Sequence, residues 1–186
     1  MNTDDIVFAV IDYLNDHDVP YMIVGSLATN VYCVPRSTED GDFVVQSKLA
    51  PLARQICQQY SDARFDPQLS FESITATNKV VLRTQSHGFE IELFELSDDE
   101  HDQTRFSRRV RVETLGRSVW IAGLEDMIIT KLRWSQHAGR EKDISDARNL
   151  IGVQRERIDW PYVESWCDRH GTRAMLDRLR QEAIPE

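Results

Sequence analysis

Residues 39–45, EDGDFVV, put three acids within four positions directly ahead of an apolar run. Carboxylates at the mouth of a core strand have to be solvated, paired or shared with a cation, which narrows what the surrounding chain can fold into. If the run is a strand its side chains alternate, so Asp40 and Asp42 project from one face about 6.6 Å apart while Glu39 points elsewhere. Left unpaired, the two would repel and raise one another's pKa, so the arrangement makes chemical sense with a cation between them. Hard oxygen donors in a small cluster favour magnesium, which takes one or two carboxylates and fills its shell with water and phosphate. A solvent-facing acidic turn uses the same residue types, and Asp-x-Asp alone does not separate the two readings.

The flanking residues favour the cation. VPYMIV reads as a buried strand ending at Gly25, and SLATNVYCV as a helix begun by Ser26 and stopped before Pro35. A glycine at a strand-to-helix junction permits close approach of a ligand, and a helix N-terminus offers unpaired N–H groups to phosphate. Arg36 and Thr38 precede the acid pair to give R-x-T-x-D-x-D, in which an arginine fork suits phosphate or carboxylate oxygens.

Beyond this segment the elements alternate. TDDIVFAVIDYLND carries apolar residues at helical spacing, GDFVVQ is a second strand and KLAPLARQICQQY a helix. VVLRT, FEIELFEL, RRVRVE and SVWIA read as strands, the last two as a hairpin. LEDMIITKLRWSQ, EKDISDARNLIG, DWPYVESWCDRH and TRAMLDRLRQEA read as helices. The expectation is an α+β fold, a mixed sheet flanked by helices, with residues 1–122 as the core and 123–186 as a small helical C-terminal region packed on it. A chain of 186 residues, 41% hydrophobic, can bury one sizeable core.

Charge is uneven. Residues 1–104 hold 6 Lys+Arg against 18 Asp+Glu, a net −12, while residues 105–186 hold 16 against 13, a net +3. An acidic first half suits a divalent cation, the Arg-rich stretch RFSRRVRVETLGR could meet phosphates, and overall acidity opposes tight nonspecific binding to nucleic acid. Three widely spaced cysteines suggest neither disulfides nor zinc, the five histidines share no spacing, and no run is long enough to span a membrane. The expected setting is soluble and cytoplasmic.

Taken together, VGSLA…VPRSTEDGDFVV resembles the signature of the nucleotidyltransferase fold of the DNA polymerase beta superfamily, in particular its minimal nucleotidyltransferases and AbiEii-like toxin proteins. LEDMIITKLRWSQHAGREKDISDARNL is similar to the E-D-x-x-x-x-K-L helix and R-x-K-D-x-x-D segment of the same group. The resemblance implies that Gly25 and Ser26 handle triphosphate, that Asp40 and Asp42 hold one or two magnesium ions, and that a third acid on a neighbouring strand shares the second ion or accepts the proton. In FEIELFEL that acid is Glu92, matching the group's "IDLF"-like run, with Glu90 as the alternative; glutamate in place of the commoner aspartate bears on catalysis more than on binding. Arg36 and Thr38 join the nucleotide-binding set, and Lys131 neutralises phosphate or is a helix-surface lysine. The implied reaction is transfer of NMP from an NTP to a hydroxyl on RNA, such as a tRNA end, or on a protein, with a toxin–antitoxin-like setting. The alternatives are an antibiotic-type small-molecule nucleotidyltransferase and an inactive nucleotide-binding module.

Overall fold

The computed structural model describes residues 3–85, 88–114 and 116–182. The chain divides into two compact units, one running up to Leu27 and from Ser37 to Ile121, the other made of Ala28–Arg36 and everything from Ala122 onward.

The first unit holds the sheet. Its strands are β1 (Tyr21–Val24), β2 (Asp40–Val45), β3 (Ala63–Phe65), β4 (Ser70–Glu72), β5 (Thr77–Thr84), β6 (Glu90–Glu95), β7 (Val110–Thr114) and β8 (Arg117–Ile121). They lie in the order β3-β5-β6-β2-β1-β8-β7, with β4 paired to β5. β2 runs antiparallel to β1 and parallel to β6, and β1 runs parallel to β8, so the sheet is mixed. The helices of this unit are α1 (Thr3–Asp16), α3 (Leu49–Gln59) and α4 (Glu100–Ser107), and α2 (Gly25–Tyr32) is divided between the units after Leu27.

Alternation along the central strands builds the core. Phe43, Val45, Ile91 and Leu93 are all fully buried, and Val80 and Leu82 on β5 are 1% exposed. In the observed registers these side chains share one face of β2, β6 and β5. α1 is fixed beside this sheet by the Arg117–Asp12 ion pair, with Nε 2.8 Å from Oδ1, and by Asn15 donating to the Ser118 carbonyl at 3.1 Å.

The second unit is helical: α5 (Leu124–Ala138), α6 (Glu141–Gln154), α7 (Trp160–His170) and α8 (Arg173–Glu182). α5 packs on α6 and α7, and α8 on α6 and α7. Ile128, Leu132, Leu150, Val163, Leu176 and Leu179, at helical spacing, are completely buried. No helix among the described residues is long and apolar enough to cross a membrane.

The α+β architecture read from the sequence is the observed one, with two strands and one α-helix added. β3 and β4 are three residues each and carry little alternation, and they exist because they pair with β5. α4 begins in the acid run SDDEHD, where Asp99 accepts the Asp102 N–H at 3.0 Å. Asp102, 2% exposed, takes Ser97 N–H and O–H on one oxygen and the Arg105 Nε on the other. These acids fasten a helix start, a pattern the N-cap aspartate and the basic Arg105 in the last turn make readable.

Phe43→Ala removes a fully buried ring from the centre of this core. It is expected to cost about 3–5 kcal/mol in urea denaturation. Phe71→Ala on β4, at a position 66% exposed, is expected to stay within about 0.5 kcal/mol of wild type.

Candidate active site

The sequence acids gather through strand register. β2 and β6 pair in parallel with Asp40 opposite Glu90 and Asp42 opposite Glu92. Paired residues of neighbouring strands share a face and stand about 4.8 Å apart, so all four carboxylates leave the sheet on the side opposite Phe43 and Ile91. β1 borders this group with Val24 opposite Asp42.

Each acid is held differently. Asp40 Oδ1 accepts the Thr38 hydroxyl at 2.6 Å, so the Thr38 side chain orients a carboxylate. Asp42 is packed against the backbone at Gly25: a Cβ built there would lie 1.8 Å from Asp42 Oδ2. Gly25 also has φ +61°, a left-handed conformation that costs a side-chain-bearing residue about 1–2 kcal/mol, so two independent constraints demand glycine. Ser26 is 3% exposed at the same strand-to-helix turn. Glu92 Oε1 is 2.7 Å from Lys79 Nζ, and Glu90 Oε1 is 2.6 Å from Arg83 Nε. Both cations are on β5, and neither entered the sequence reading. Their i, i+4 spacing on an alternating strand is visible in NKVVLR, but which acids they meet depends on register.

Asp40 and Asp42 form a donor set that fits magnesium by chemistry: two hard carboxylates, two residues apart on one strand face. Among the described residues no three His, Cys, Asp or Glu side chains converge as a ready cage. An ion held here would draw the rest of its shell from water and nucleotide oxygens.

Three solved structures share the chain's architecture over nearly its whole length. Antibiotic-resistance factor ANT(2'')-Ia in solution superposes with TM-score 0.65, covering 98% of this chain and 100% of that one at 15% identity. The same factor in complex with adenylyl-2''-tobramycin gives 0.64, covering 91% and 97% at 14% identity. An antigenic nucleotidyltransferase-like protein from Paracoccidioides brasiliensis gives 0.59, covering 95% and 89% at 17% identity. The chain has a nucleotidyltransferase fold. No protein-family model and no curated protein matches the sequence.

Within this nucleotidyltransferase fold the second unit carries its own charged cluster. Arg36, at the end of the short segment after α2, donates from Nε and Nη2 to Asp146 Oδ1 and Oδ2 at 3.1 and 2.9 Å. Lys131 Nζ is 2.9 Å from both Asp143 Oδ1 and Asp146 Oδ2. Asn30 clamps Arg36 from the other side, accepting its N–H at 3.1 Å and donating to its carbonyl at 2.8 Å. The sequence reading gave Arg36 phosphate or carboxylate oxygens as partners and Lys131 phosphate or the helix surface; here Arg36 pairs with Asp146, and Lys131, 7% exposed, is a buried residue of α5 paired with Asp143 and Asp146. The motif R-x-K-D-x-x-D contributes its two aspartates to this cluster, while its Arg140 lies over the Trp134 ring at 5.2 Å.

The Arg-rich stretch is likewise occupied. Arg105 is paired with Asp102, Arg109 lies between the Phe106 and Trp120 rings at 4.4 and 4.8 Å, Arg111 donates to Ser118, and Arg117 holds Asp12. Trp160 and Trp166 are covered by Arg180 and Arg169 at 4.0 and 4.2 Å. The three cysteines are free thiols, and burial pushes each above its ordinary pKa, Cys167 to about 11. None has the depressed pKa of a nucleophile.

Burial opposes ionisation of Asp146, and the hydrogen bonds from Arg36 and Lys131 outweigh it, holding the carboxyl below its ordinary 3.8. A depressed folded-state pKa stabilises fully above the unfolded value, and that stabilisation disappears as pH falls through the folded value. Asp146→Asn is expected to destabilise the protein near neutral pH and to flatten the fall in stability below about pH 4, read from urea midpoints between pH 2 and 7. In the first unit, Gly25→Ala is expected to cost at least about 1–2 kcal/mol by the same measurement and to displace the Asp42 carboxylate, visible as changed Asp42 chemical shifts.

Proposed function

We propose that the protein transfers a nucleoside monophosphate from an NTP to a hydroxyl group, and that the acceptor is a small hydroxylated molecule. The observation that carries the reaction is the register of β2 against β6, which sets Asp40, Asp42 and Glu92 on one face next to the glycine turn that opens α2. In this reading Asp40 and Asp42 are the residues that hold magnesium. When bound, that ion neutralises phosphate charge and fixes the triphosphate in line.

The chain's own groups do the rest by placement and charge. The Gly25–Ser26 turn presents backbone to the phosphates without a side chain in the way. Thr38 keeps Asp40 oriented. Glu92, held by Lys79, takes the acceptor's proton as the acceptor oxygen bonds the α-phosphorus and the bond to pyrophosphate breaks. Arg36 and Lys131 contribute through the ion network that orders the segment after α2.

Three observations favour a small acceptor over RNA. Arg105, Arg109, Arg111 and Arg117 of the basic stretch are engaged within the chain, which leaves little of it to track a phosphate backbone. The full-length neighbour ANT(2'')-Ia is described as a resistance factor and bound to adenylyl-2''-tobramycin. The net −12 of residues 1–104 suits a cationic acceptor of that kind.

Incubation with magnesium and each α-labelled NTP, against aminoglycosides, total RNA and a protein extract, tests the reading; label on an aminoglycoside is expected, label on RNA would restore a nucleic-acid acceptor, and label on none would remove the activity. Asp42→Asn is expected to be at least as stable as wild type without metal, since it removes one of several neighbouring negative charges. It should also lose about 100-fold or more in transfer rate, roughly 3 kcal/mol at 1.4 kcal/mol per decade.

A further inference from the structure

The acid face carries more negative charge than one divalent ion can offset, and the structure supplies part of the balance itself. Asp40, Asp42, Glu90 and Glu92 occupy adjacent positions on β2 and β6. On β5, Val81 stands opposite Glu92 and Arg83 opposite Glu90, so Lys79 and Arg83 share that face two residues to either side of Val81. Among the described residues, two cations against these four carboxylates leave a charge of −2, which a single magnesium ion would offset.

The two cations are not equivalent. Arg83 and Glu90 form an exposed cross-strand pair, with side chains 58% and 36% accessible. Such pairs exchange readily with water and contribute little. Lys79 and Glu92 are 27% and 21% accessible, and the Lys79 ammonium is also 5.5 Å from the centre of the Phe94 ring. A partly desolvated cation held by a carboxylate and an aromatic face gives up that carboxylate at a cost. Glu92 is therefore occupied from the side of β5.

We infer that Lys79 is a positioning residue that stands in for a second metal ion: it holds Glu92 as the partner of a protein cation, so that the centre takes one divalent ion through Asp40 and Asp42. This rests on the nucleotidyl-transfer reading and fixes the metal stoichiometry of that site. Glu92 then keeps a fixed orientation toward the acceptor hydroxyl instead of being drawn into a coordination shell. Without Lys79 the face would carry −3 and Glu92 would be free to coordinate.

The test is manganese binding followed by electron paramagnetic resonance, with folding of each variant checked by thermal melt. Wild type is expected to bind one Mn2+ per chain. Lys79→Gln is expected to bind a second, or to bind the first about tenfold more tightly. Lys79→Arg, which keeps the cation, should behave as wild type, and Lys79→Gln combined with Glu92→Gln should lose the gain. Two ions on wild type, identical binding by wild type and Lys79→Gln, or a gain that survives Glu92→Gln would each overturn the inference. Wild type binding none would overturn the one-ion stoichiometry. Asp42→Asn separates the underlying reading: unchanged Mn2+ binding in that variant removes the aspartate pair as the metal site, whatever Lys79→Gln does.

Discussion

Six residues of β2 pair in parallel with six of β6, Asp40 with Glu90 through Val45 with Glu95, and this ladder decides which side chains are charged neighbours and which are core. A slip of one residue would carry Phe43 and Ile91 to opposite faces and bury an acid, because side chains alternate with a period of two. The buried set Phe43, Val45, Ile91 and Leu93 therefore holds the acids in place: hydrophobic burial on one face fixes the register, and the register assembles the carboxylates on the other. Antiparallel pairing of β5 with β6 extends the same logic, bringing Lys79 and Arg83 to the glutamates.

Both units meet the problem of crowded carboxylates with cations drawn from other elements. In the sheet the two β5 cations serve the glutamates, while Thr38 holds Asp40 and the Gly25 turn closes on Asp42. In the helical unit Asp143 and Asp146 meet Lys131 and Arg36, two charges against two, with both aspartates and Lys131 buried and Arg36 35% accessible. Buried charges are costly unless paired and hydrogen-bonded, so removing one member of such a set strands the others. Others of the acids in this chain serve architecture, such as Asp102 under Ser97 and Arg105.

Much of the fold was legible because its signals are local. The apolar run VPYMIV, the glycine after it, the helix SLATNVY and the acids ahead of FVV each announce themselves within a few residues, and the structure places β1, α2 and β2 on them. The four C-terminal helices followed from apolar spacing. β3 and β4 were not legible, since three-residue strands owe their existence to a partner and not to their own composition. α4 is readable from its Asp99 cap and the basic Arg105 in its last turn.

The sequence by itself determined the residue types that make the candidate site: the Asp-x-Asp pair on one strand face, Gly25 at a turn no other residue fits, and a glutamate strand to face them. Only the tertiary structure decided who pairs with whom. Arg36 reaches Asp146 across 110 positions of chain and Lys131 reaches Asp143 across 12, so residues from separate motifs close into one ion network. Lys79 meets Glu92 for the same reason. A charged side chain takes the nearest opposite charge in space, and nearness in space is set by strand register and helix packing, which are properties of the whole core and not of any one segment.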